Sequence, residues 1–99
     1  MIGSKPLKPI AEAVPGAIAE LLRQTPLSPG KVDFAWKTAV GPALQRVTTA
    51  RLEDGTLLVD AASRQWAREV SRSAHVILPR VQTLLGKEIV TGIRIRVVD

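Results

Sequence analysis

The stretch that most constrains this chain runs from Asp54 to Val70 and reads DGTLLVDAASRQWAREV. Asp54-Gly55 is a hairpin signal, because both central positions of a type I′ turn need positive φ, which Asp and Gly tolerate. Thr56 to Ala61 then reads as a strand, and Ser63 as the N-cap of a helix that begins at Arg64. Arg64, Arg68 and Arg72 recur every four residues, so three guanidinium groups stack along one side of that helix. Trp66, Val70, Ala74 and Ile77 fall on the other side. Turn, strand, apolar helix face and cationic helix face all come from one short stretch.

The remaining elements arrange themselves around it. Met1 to Pro9 holds glycine, serine and two prolines and is expected to be a flexible arm, with residues 10–99 forming one domain. Ile10 to Gln24 has helical spacing, but Pro15 interrupts it, so the first helix is expected from about Pro15, where a missing N–H costs nothing. Thr25 to Gly30 reads as a loop. A second helix is expected from about Lys31 to Val40, burying Val32, Ala35, Trp36, Ala39 and Val40 and ending at Gly41-Pro42. Phe34 points off that stripe, and either closes against the first helix or stands exposed for a partner.

After a short passage through Ala43 to Arg46, Thr48 to Glu53 alternates as a strand, with Thr48, Ala50 and Leu52 on one face. Beyond Arg64, Pro79 interrupts a long helical pattern that ends at Gly86. A proline inside a helix costs about 3 kcal/mol, which predicts two helices or a sharp kink. Glu88 to Val98 closes the chain as a strand, Ile93, Ile95 and Val97 turning inward and Arg94 and Arg96 outward. The expected fold is α+β in the order α-α-β-β-α-α-β: a three-stranded sheet, built from an antiparallel hairpin and a C-terminal strand, with helices on one face. Its outward face carries Arg51, Arg94 and Arg96, with Asp60 as a counter-charge.

Composition narrows the chemistry. Cysteine is absent, which excludes disulfides, thiolate metal sites and cysteine catalysis, and the single histidine, His75, makes no metal cluster by itself. The hydroxyl residues lie in no arrangement that activates a nucleophile, and no glycine-rich phosphate loop is present. The chain is therefore expected not to be an enzyme, and to need no cofactor, metal or small-molecule substrate. No signal peptide or membrane span is legible, so a soluble, cytoplasmic protein is expected.

The net charge of +5 points to a polyanionic partner, nucleic acid or an acidic protein surface. The candidate nucleic-acid residues are Arg64, Arg68 and Arg72, joined by Arg51, Arg94 and Arg96. Lys37 extends that footprint, and with Phe34 forms the candidate partner-binding pair. The aromatic share is 3%, and both tryptophans sit in apolar stripes, so binding should be directed at the backbone rather than built on base stacking.

Five segments then form a pattern: Trp36-Lys37-Thr38-Ala39-Val40-Gly41, Asp54-Gly55-Thr56-Leu57-Leu58-Val59, Ser63-Arg64-Gln65-Trp66-Ala67-Arg68-Glu69-Val70, Leu84-Leu85-Gly86 and Ile93-Arg94-Ile95-Arg96. In this order and spacing, from about Val14 to Val98, they resemble the DciA family of bacterial proteins, which act on the replicative helicase DnaB. The resemblance implies a KH-like domain and a non-enzymatic helicase loader that binds DnaB and single-stranded DNA. Two departures stand out. The Gly-x-x-Gly backbone clamp of KH domains is absent, Val76-Ile77-Leu78-Pro79-Arg80 standing at the helix junction, and the chain stops at its last strand without the disordered tail of many members. An RNA-associated KH-like module and a protein-only adaptor are the alternative readings.

Overall fold

A computed structural model of the chain describes residues 16–98; the expected arm and residues 10–15 lie outside the described residues. The elements are α1 (Gly16–Gln24), α2 (Pro29–Val40), α3 (Pro42–Gln45), β1 (Thr48–Glu53), β2 (Thr56–Ala61), α4 (Arg64–Leu85) and β3 (Gly92–Val97). The protein is thus α+β with a three-stranded mixed sheet. The second helix starts two residues earlier than its apolar spacing shows. Ser28 caps it, its hydroxyl accepting the Lys31 amide at 3.1 Å, and Pro29 occupies the first turn, where it removes no helical bond.

Strand order is β1-β2-β3. The Asp54-Gly55 turn has φ of +50° and +81°, the two positive values that a type I′ hairpin requires. It sets an antiparallel register in which Arg51 faces Leu58 and Thr49 faces Asp60. β3 joins the other side of β2 in parallel, Ile93 beside Leu57 and Ile95 beside Val59. Parallel neighbours need a long crossover, and α4 supplies it.

α4 is one helix of 22 residues that continues through Pro79, so of the two outcomes expected from the proline the break into separate helices does not occur. The reason is tertiary. Ile77, Val81, Leu84 and Leu85 on either side of the proline are all at most 3% exposed, so burial outweighs the local penalty. The residues expected to join two helices therefore lie inside one.

The last strand is shorter than its pattern. Residues 88–91 do not extend: the Ile89 and Val90 amides both turn back to the Gly86 carbonyl, and Gln82 Nε2 holds the Val90 carbonyl at 2.8 Å. The core lies between the sheet and the helices and includes Trp36, Leu57, Val59, Val70, Val81, Leu84 and Val90. Trp36 is fully buried, with its indole N–H donating to Thr48 Oγ1 at 2.9 Å, while Trp66 is half-buried against the same cluster. Val97 keeps the inward register but is 43% exposed at the strand's end.

Candidate nucleic-acid interface

α4 begins where the sequence pattern places it, with the Ser63 hydroxyl accepting the Trp66 amide at 3.3 Å. From that start the helical repeat carries Val70, Ile77 and Val81 into the core and turns Arg64, Arg68 and Arg72 to solvent. Four residues of helix rise about 6 Å, so the row spans about 12 Å along the axis. Arg72 meets Glu69 at 3.5 Å, but both side chains are well exposed, and such a pair is readily given up to a polyanion. Arg64 and Arg68 form no ion pair with a described residue.

The outer face of the sheet holds the second arginine set. Across the strands, Arg51, Leu58 and Arg94 form one row, and Thr49, Asp60 and Arg96 the next. Asp60 stands between two guanidinium groups: Oδ1 accepts Arg96 Nε at 2.6 Å, and Oδ2 accepts Arg51 Nη1 at 3.3 Å. The hydrogen bond from Arg96 holds the Asp60 carboxyl below the usual carboxylate range, and raises the Arg96 guanidinium in turn. Arg51 also reaches Glu53 at 3.1 Å. Arg94 is exposed and makes no ion pair with a described residue.

The structure does not bring these sets together. α2 and α4 cover the inner face of the sheet, where Leu57 and Val59 are buried, so the α4 row lies outside the helix layer and Arg51, Arg94 and Arg96 lie outside the sheet layer. One straight strand of nucleic acid cannot touch both. Phe34 is 48% exposed on the outer side of α2, which leaves the exposed option of its two readings. Lys37 is its neighbour one turn on, paired with Asp33 at 3.0 Å.

Three other cations serve the fold. Lys31 is buried with Nζ on the Thr25 carbonyl at 2.6 Å, Arg23 reaches the Thr83 carbonyl at 2.8 Å, and Arg80 the Ala39 carbonyl at 3.1 Å. These contacts close helix ends whose carbonyls lack intrahelical donors. Lys31 stands six positions from the carbonyl it binds, which is a legible signal; Arg23 and Arg80 act across 60 and 41 positions, and nothing local marks them.

Among the described residues no group of three or more His, Asp or Glu side chains could hold a metal ion, and no helix is long and apolar enough to cross a membrane. The arrangement is that of a small α+β domain with cations displayed on one side of a long helix. The chain belongs to the DciA family (Dna[CI] antecedent, DciA), whose family model matches residues 9–95. That family is one of helicase loaders in DNA replication. A search of curated proteins found no match.

Proposed function

We propose that this chain binds the DnaB replicative helicase and the phosphate backbone of single-stranded DNA in the cytoplasm, and promotes helicase loading without catalysing a reaction. The observation that carries the DNA contact is the exposed row of Arg64, Arg68 and Arg72 on one face of α4, two of whose members lack an ionic partner among the described residues. Phosphate contact of this kind releases counterions and is indifferent to base sequence. Phe34 and Lys37, adjacent on the outer side of α2, are the helicase-facing candidates. The effect on the helicase is one of differential affinity: tighter binding to one state of the ring shifts the ring toward that state.

The test is the double charge reversal Arg68→Glu/Arg72→Glu, titrated with oligothymidylate at several salt concentrations. Single strands contribute a slope of about −0.7 per neutralised phosphate, so the variant should bind more weakly and lose about 1.4 from the slope. Unchanged affinity and slope would remove the DNA assignment. Competition by structured RNA at matched ionic strength tests the RNA reading. Failure to recover the replicative helicase with the tagged protein after cross-linking would count against the partner.

A further inference from the structure

We propose that the outer face of the sheet is a second phosphodiester-backbone site, and that Asp60 sets its affinity as a built-in competitor of phosphate. This rests on the polyanion-binding reading above and assigns the opposite face of the protein.

Arg51, Arg94 and Arg96 rise from the two outer strands and, with Leu58, Glu53 and Ile95, line a concavity of about 330 Å³. Three guanidinium groups around one hollow are what a phosphodiester recognises, since each offers several N–H donors to anionic oxygens. Two of the three already hold an anion. The Asp60 side chain is only 17% exposed and lies beneath the Arg51 and Arg96 side chains, which are 47% and 59% exposed. Arg96 meets Asp60 through Nε and lines the hollow, and its terminal nitrogens have no partner among the described residues. Asp60 thus does two opposed things: it orients the Arg96 fork, and its charge cancels part of the field that would draw a phosphate. With Glu53 it leaves three positive and two negative charges on this face.

Asp60→Asn separates the two effects. The amide oxygen still accepts from Arg96, while the charge is gone. A unit charge about 6 Å from a bound phosphate, in a medium between water and protein surface, makes oligothymidylate binding about three- to tenfold weaker at low salt. Asp60→Asn is therefore expected to bind three- to tenfold more tightly and to steepen the salt slope by about 0.7 for each additional phosphate engaged. Adding Arg96→Ala to that variant should abolish the gain. Unchanged affinity and slope in a folded Asp60→Asn protein overturn the proposal.

The same titration of Arg68→Glu/Arg72→Glu separates the two readings. Loss there, with no gain from Asp60→Asn, overturns only the sheet-face site; no loss there, with a gain from Asp60→Asn, overturns only the helix-row site. The unsubstituted protein supplies a check that needs no variant. Oligothymidylate should move the Nε–Hε resonances of Arg94 and Arg96, and their standing still through a titration that moves Arg68 refutes the site.

Discussion

Replacing Thr48 by valine isolates a buried polar link that ties α2, α3 and β1 together. Thr48 is 5% exposed; its hydroxyl accepts the Trp36 indole N–H at 2.9 Å and donates to the Leu44 carbonyl. Valine keeps the shape and removes both bonds. The Leu44 carbonyl retains the Val47 amide at 3.3 Å, so the group left without a partner is the indole N–H, inside a fully buried side chain. Stranding one such donor costs about 1–3 kcal/mol, and valine's slight advantage in a strand offsets little of it. The expected loss is about 2 kcal/mol, which in a chain of this size lowers the melting temperature by roughly 8–16 °C. Urea unfolding followed by tryptophan fluorescence measures it, with the denaturant slope unchanged. In a Trp36→Phe background no indole donor remains, so the same substitution should cost about 0.5 kcal/mol or less. A loss below about 0.5 kcal/mol in the unsubstituted protein, or an equal loss in both backgrounds, would refute the reasoning.

Three further outcomes follow from the same contacts. Pro79→Ala should raise stability by about 1–3 kcal/mol, because the His75 carbonyl regains a helical donor; a destabilised protein in thermal unfolding would show that the proline shapes α4. Gly55→Ala should lower stability by about 1–2 kcal/mol, since φ is +81° and the new Cβ would stand 3.1 Å from Thr91 Oγ1; a neutral result would mean the turn relaxes. Asp60 and Glu20 are held below their ordinary values of 3.8 and 4.5 by arginine hydrogen bonds, so their stabilisation is complete above that range and disappears as pH falls through the lower folded-state values. The urea midpoint should accordingly decline below about pH 4, and less steeply in Asp60→Asn; identical acid limbs would contradict this.

Much of the chain declares itself locally. Alternation in Thr48–Glu53 and Thr56–Ala61, the positive-φ pair Asp54-Gly55 and the Ser63 cap are short-range patterns, and each forms as its residues dictate. The exposure of Arg64, Arg68 and Arg72 follows from the same helical period that buries Val70 and Ile77. Where local and distant forces oppose each other, the sequence pattern leaves the outcome open: Pro79 argues for two helices or a kink, and burial of Ile77, Val81, Leu84 and Leu85 keeps one helix. Ile89 and Val90 look like strand and instead form the turn that returns the chain to β2, because the Gly86 carbonyl and Gln82 claim their backbone groups.

Charge shows the division most clearly. That arginines stand outward on a helix and on strands is legible from spacing, since periodicity is a property of each element alone. Packing settles what periodicity leaves open: these arginines occupy two opposite faces, and Arg23 and Arg80 close the ends of helices distant in sequence. It also brought Asp60 and Arg96, 36 positions apart, within 2.6 Å by laying β3 parallel to β2. Strand alternation already marks Asp60 as a counter-charge on that face, but Coulombic pairing acts through space, so the partner and the distance are fixed only when the strands are packed.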